Sequence, residues 1–318
     1  MQESRKIIRF GKNSFVISIP KTWVNQNNLA KGDMVYIDQS QPELRIMPSE
    51  NTVKIEIKKI IIETEEKSLQ RIRNEITSAY LMNNNIIELV GENVTANINE
   101  IKSILRSLAG IEIMEVTAKR VTAHDILSEG DVDIANIMRR IDIICRSMIT
   151  DSMQVLSARQ AELAESVNAR DADVNRLAYL AFRVLRKCMI EPQFAKKLGL
   201  GMLDISGYWN MISLLERIAD QAKRVARHII NFKISKEGSE RFAVLHESIN
   251  ELYLDIMKAY HTQNKALAFK VIDDCTTKNI ECNAFLAAYP NLEVAHAIGF
   301  LKSMNSLIRH IARSVSAM

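Results

Sequence analysis

Over residues 14–19 hydrophobic and polar positions separate with a period of two. Phe15, Ile17 and Ile19 fall on one side and Ser14, Val16 and Ser18 on the other, the pattern of a strand with one buried face. Gly11 and Asn13 supply turn chemistry just upstream, so a hairpin is expected. Pro20 ends the strand and presets the first helical turn, predicting a short helix over 21–27. Lys31-Gly32-Asp33 then turns the chain into a strand over 34–38. From Thr52 the pattern changes: VKIEIKKIII, a helical stretch over 67–82, IIELVG, a second helical stretch over 97–109, and IEIMEVTAKRVTAHDIL. That order, β-α-β-α-β with a final hairpin, predicts a compact α/β or ferredoxin-like unit over 52–127.

Beyond Asp131 strand signals vanish and apolar residues recur at three and four. Ile134, Ile137, Met138, Ile141, Ile144, Cys145 and Met148 form one helical face. A second helix is expected over 161–190, ended at Glu191-Pro192, and a third over 203–232 after the break Leu198-Gly199-Leu200-Gly201. Lys236-Glu237-Gly238-Ser239 is read as the separator from a second trio. In that trio Phe242, Leu245, Ile249, Leu252 and Ile256 keep helical spacing, and the last helix starts after Tyr289-Pro290-Asn291. The fold class is therefore multidomain α+β: an N-terminal β module over 1–48, a small α/β unit over 52–127, and tandem three-helix bundles over 131–318, divided into 131–232 and 237–318.

At 318 residues the chain is too long for one such module, and its formal charge of +4 is mild. Any nucleic-acid binding must come from a local cluster. One exists: Arg5, Lys6, Arg9, Lys12 and Lys21 stand against Glu3 alone across residues 1–24. Such an excess attracts DNA phosphates; the alternative is a solvated basic edge that prevents sheet aggregation. A module of about 48 residues buries too little apolar surface alone, so a homodimer is expected. Cys145, Cys188, Cys275 and Cys282 show no C-x-x-C spacing and read as buried thiols in a reducing compartment. With no long apolar run and no cleavable leader, the expected location is cytoplasmic, without membrane insertion.

The N-terminal residues Arg5, Lys6, Arg9, Gly11, Lys12, Ser14, Ile19-Pro20-Lys21, Trp23, Leu29, Lys31-Gly32-Asp33 and Val35 resemble the AbrB/MazE/SpoVT family of swapped-hairpin β-barrels. The resemblance implies two interlaced chains whose hairpin arms carry basic residues to double-stranded DNA. The stretch LLERIADQAKRVA over 214–226, with Asp171-Ala172-Asp173-Val174-Asn175 upstream, is similar to the signature of the PhoU family of phosphate-uptake regulators. This resemblance implies tandem three-helix bundles, a phosphate transporter ATPase or phosphate-sensing protein as partner, and a metal-ligand pair at Glu216 and Asp220. Those two carboxylates, four residues apart, share a helical face and repel, which a cation or basic partner would relieve.

The departures are as informative. Ala178 and Phe182 stand where the family's second carboxylate pair would sit, and Ser306 and His310 replace the carboxylates in the second bundle. A multinuclear cluster is therefore not expected. One weakly held divalent or iron-type ion at Glu216 and Asp220 is one reading, and an ion network with Arg217, Lys223 or Arg224 is the other. The basic run Lys223, Arg224, Arg227, His228 is a candidate partner-binding face, with a solvated face as the alternative. The six histidines, His124, His228, His246, His261, His296 and His310, never pair at metal-ligand spacing, and most read as surface or interface residues. No convergent nucleophile, base or nucleotide loop appears, so an enzyme is not expected. The combined expectation is a dimeric DNA-binding transcriptional regulator tied to phosphate uptake and homeostasis. The alternative is an interaction regulator of a phosphate transporter whose N-terminal barrel only dimerises.

Overall fold

A computed structural model describes residues 4–38, 44–48, 57–127, 130, 132–158, 161–230 and 233–317. The chain divides into two units, 1–57 and 58–318.

In the first unit, strands β1 (Ile8–Phe10) and β2 (Ser14–Val16) form an antiparallel hairpin with Ile8 opposite Val16 and Arg9 opposite Phe15. Gly11 turns it at φ +71, a conformation that side-chain-bearing residues adopt only with strain. Pro20 leads into helix α1 (Lys21–Gln26), and β3 (Val35–Asp38) pairs antiparallel with β4 (Arg45–Pro48). The two hairpins are separate two-stranded sheets within one chain. The strand expected to hide one face over 14–19 is only three residues long and hides neither face. Two hairpins this short cannot enclose a core.

The second unit opens with a four-stranded sheet. The start of the VKIEIKKIII run, 52–56, lies outside the described residues; strand β5 (Lys59–Glu63) follows it. Helix α2 (Leu69–Leu81) is capped by Ser68, whose hydroxyl accepts from the Arg71 N–H. It crosses to β6 (Ile86–Val90), which runs parallel to β5. Helices α3 (Asn93–Ala96) and α4 (Ile98–Arg106) lead to β7 (Ile111–Val116), and a hairpin returns through β8 (Arg120–Asp125). The order is β5-β6-β8-β7, with β8 antiparallel to both neighbours. This corrects the ferredoxin-like expectation: that fold places its hairpin between the helices, in the order β-α-β-β-α-β, whereas here the hairpin comes last. The core holds Ile72, Ile76 and Tyr80 of α2 against Ile87 and Leu89 of β6.

The rest is helical: α5 (Ile134–Ala158), α6 (Ala161–Ile190), the short α7 (Pro192–Lys197), α8 (Met202–Ile229), α9 (Lys236–Thr262), α10 (Lys265–Ala288) and α11 (Leu292–Ala317). Pro192 starts α7 rather than only ending α6, and Gly199 breaks the chain at φ +68 before α8. The expected separator Lys236-Glu237-Gly238-Ser239 is the first turn of α9, because Ser235 caps that helix by accepting from the Gly238 N–H at 3.1 Å. The predicted end of the third helix at Phe232 lies outside the described residues. The apolar face from Ile134 to Met148 is buried except for the partly exposed Ile144, and one continuous core runs through α5, α6, α8, α9, α10 and α11. No described helix is long and apolar enough to cross a membrane.

Two polar devices interrupt this apolar interior. Arg183 of α6 is 1 % exposed, pairs with the buried carboxylate of Asp125 at the end of β8, and lies 4.6 Å from the centre of the Tyr80 ring on α2. It thereby fastens the sheet unit to the helices. Between α5 and α9, Asp142 accepts from the Tyr253 hydroxyl at 2.8 Å and takes a bidentate pair from Arg146. Farther along the same seam His246, 1 % exposed, shares a hydrogen bond with the Ser152 hydroxyl at 3.1 Å. His246 is thus an exception to the expectation that most histidines lie at a surface or interface. It sits on the same face as Phe242 and Ile249, and that face is buried.

Removing one partner of a buried ion pair leaves the other charge unpaired, so Arg183→Met should lower unfolding stability by about 3–5 kcal/mol in urea denaturation. A loss below 1 kcal/mol would show that the pair does not hold the seam. Burial also depresses His246 to about 4. Below the ordinary histidine value of about 6.5 the unfolded chain gains a proton that the folded chain refuses until about 4, so stability falls as pH drops through that window. The loss should reach about 2 kcal/mol and be absent from His246→Gln, when urea curves at pH 7 and pH 4.5 are compared.

Candidate nucleic-acid interface and acidic helix pair

In the first unit Arg5, Lys6, Arg9, Lys12 and Lys21 are all exposed. Arg9 lies within β1, Lys12 at the hairpin tip, and Lys21 opens α1. Arg5 reaches the Ser18 hydroxyl at 3.3 Å, which ties the incoming strand to the end of the hairpin. No described residue of this unit is buried, and its large apolar side chains lie open: Phe10 is 68 % exposed and Phe15 69 %, with Ile7, Ile8, Met34, Tyr36 and Ile37 also exposed. So many exposed large apolar side chains in one small unit mark a surface for interaction. Phe15 shares a hairpin face with Arg9, while Ile8, Phe10 and Val16 share the other.

In the second unit α8 carries Glu216 and Asp220 one turn apart, facing Asp171 of α6. Lys223 bridges the helices: its ammonium lies 2.7 Å from the Asp171 carboxylate and 2.9 Å from that of Asp220. Arg224 pairs with the other Asp220 oxygen at 2.7 Å, and its guanidinium lies 5.9 Å from the centre of the Phe300 ring. Arg227, exposed, donates to the side-chain oxygen of Asn168. Of the run expected to face a partner, Lys223 is turned inward and Arg224 is engaged by Asp220. Ion pairing raises Lys223 above its ordinary value against the opposing effect of its partial burial. Glu216 is half-buried, has no hydrogen-bond or ion-pair partner among the described residues, and is raised first by burial and then by the charges of Asp220 and Asp171.

This donor set suits an ammonium better than a metal ion. Two carboxylates already share Lys223, and the third, Glu216, is disfavoured as an anion. Among the described residues no three His, Cys, Asp or Glu side chains converge so as to hold an ion. Ala178 is fully buried and Phe182 packs on Trp209 with ring centres 4.7 Å apart, while Ser306 and His310 are exposed. The network with Lys223 and Arg224 was legible as one of two alternatives; Asp171 was visible only as part of a motif. All four cysteines are free and buried, and burial pushes Cys275 up to about 12.

Lys223→Met would leave Asp171 and Asp220 to repel across the helix pair, and about 2 kcal/mol of stability should be lost in urea denaturation. Millimolar magnesium should leave the melting temperature of the wild-type protein unchanged. A stabilisation by magnesium of the unaltered chain would show that Lys223 does not fill the cation's place.

Comparison with known proteins matches two family models. The PhoU domain matches residues 138–229, which spans α5 from its second turn to the end of α8. The model described as antidote-toxin recognition MazE, bacterial antitoxin, matches residues 8–68. A crystal structure of PhoU from Pseudomonas aeruginosa is similar at a TM-score of 0.49 and 18% identity, covering 57% of this chain and 93% of that one. No curated protein matches. The chain therefore carries a PhoU domain preceded by a MazE-like N-terminal domain.

Proposed function

We propose that the protein is a dimeric DNA-binding transcriptional regulator linked to phosphate uptake. The PhoU domain supports the connection to phosphate-uptake regulation, and the MazE-like domain supports DNA or protein binding. The observation that carries the finer reading is the coincidence, in one small module, of five exposed cations with an apolar surface left open within a single chain. Pairing two chains through Phe10, Phe15 and their neighbours covers that surface and closes a barrel from four hairpins. The same two-fold doubles the cationic set, so that Arg5, Lys6, Arg9, Lys12 and Lys21 meet phosphates on both sides of a duplex. The helical half then engages a phosphate transporter ATPase or a phosphate-sensing protein and biases the dimer.

A second reading keeps the dimer and drops the DNA: the MazE-like domain only joins two copies of a protein-interaction regulator. The open apolar surface favours it equally; the exposed cations favour the first. Fluorescence anisotropy on duplex fragments from the organism's own genome separates the two. Log affinity should fall with log salt by about 0.9 per phosphate neutralised, and Arg9→Ala with Lys12→Ala should flatten that slope without altering the circular dichroism. An unchanged affinity and slope in the double variant would favour the second reading. Sedimentation of the full chain should give a dimer at micromolar concentration, and Phe15→Asp should shift it toward monomer.

A further inference from the structure

A cavity of about 490 Å³ lies between the sheet unit and the bundle, where α2 passes α6 and α8. Its size falls within the usual range of small-molecule sites. Arg73 and Asn74 line it from α2, Tyr179, Phe182 and Arg186 from α6, and Trp209 from α8. No carboxylate lines it, so two guanidinium groups face the space without a counter-charge. Neither Arg73 nor Arg186 has an ion-pair partner among the described residues, and the Nε of Arg186 is buried with no acceptor. The aromatic wall has the other half of the chemistry. Phe182 and Trp209 are tilted against each other at 41°, and Trp209 keeps 36 % of its surface open. Asn74 accepts from the Gln70 amide at 3.0 Å and retains its own NH₂ for a polar edge.

We propose that this cavity is a nucleotide site, in which the phosphate is held by Arg73 and Arg186 and the base stacks on Trp209 and Phe182. Guanidinium groups match phosphate oxygens in bidentate geometry, and an indole face takes a planar heterocycle without regard to its identity. A free anion would use the arginines and leave the aromatic wall idle; an apolar ligand would leave both arginines unpaired. Only a ligand with both parts satisfies the lining. The walls belong to two subdomains that Arg183 and Asp125 join, and Arg183 and Arg186 lie one turn apart on α6. The site is therefore pre-formed, and a bound nucleotide bridges the sheet unit to the bundle. Tyr179 also lies within electrostatic reach of Glu216 and Asp171, which sets the cavity beside the acidic helix pair. The inference is independent of DNA binding.

Isothermal titration calorimetry of the full-length protein with AMP, ADP and GMP tests it, with adenosine and inorganic phosphate as partial ligands. At least one nucleotide should bind once per chain, tenfold or more tightly than adenosine or phosphate. Arg186→Gln and Trp209→Leu should each weaken it at least tenfold. Arg73 is exposed, so Arg73→Gln keeps the test valid if Arg186→Gln proves poorly folded. Nucleotide that instead occupied the N-terminal cations would bind all three variants like wild type, and this would overturn the assignment. So would the absence of saturable binding at millimolar nucleotide, or inorganic phosphate binding as tightly as any nucleotide.

Discussion

The second unit turns on one side chain. Arg183 is the largest fully buried side chain among the described residues, and it lies where a sheet-bearing subdomain meets a helical one. Two cores, one around Ile72, Ile76 and Leu89 and the other running through α5 to α11, have separate memberships. Hydrophobic burial alone would let them slide, because it is non-directional. A buried guanidinium cannot slide: it must keep the Asp125 carboxylate and the Tyr80 ring, or stand as an uncompensated charge in a dry interior. That demand fixes the angle at which α2 approaches α6. Asn83 adds a side-chain hydrogen bond to the carbonyl of Arg183 at 3.5 Å, and the cavity one turn farther along α6 inherits its shape from the joint.

The first unit follows the opposite logic. There apolar residues are plentiful but none of the described ones is buried, and the β1–β2 hairpin presents both faces to water. A lone hairpin is marginal in water, and a surface this apolar is stabilised by a second copy or a partner. Lys12 at the hairpin tip and Lys21 at the helix start lie off the strand faces, while Arg9 stands beside Phe15 on one of them, exposed and free for an anion. The same arrangement discourages uncontrolled edge pairing. Specific dimerisation and phosphate attraction are thus compatible demands on one short sequence.

How much of this could be read beforehand follows from the range of each interaction. Local signals carried far. Pro20 opened α1, and the i, i+3, i+4 spacing from Ile134 onward named a buried face. What failed was non-local. Nothing within IEIMEVTAKRVTAHD says that β8 inserts beside β6 while β7 takes the edge, since the alternation of a strand is silent about its neighbours. His246 looked like a surface histidine until Ser152, 94 residues earlier, supplied its partner. Lys236-Glu237-Gly238-Ser239 carried linker composition, yet a cap one residue upstream drew it into a helix. The acidic pair was visible by spacing, but the ion that neutralises it belongs to Lys223 only because α6 brings Asp171 alongside.

The departures from the family signature then acquire a common explanation. With Ala178 and Phe182 where carboxylates would stand, α6 brings Asp171 to this site, and Lys223 together with Arg224 of α8 balances Asp171 and Asp220. Phe182, released from ligation, packs on Trp209 and becomes a wall. One helix face that would otherwise recruit ions is divided in two, with an internally neutralised network on one side of Tyr179 and an aromatic, arginine-lined cavity on the other. Tyr179 lies between the two, raised first by burial and then by the charge of Glu216, with Arg73 opposing.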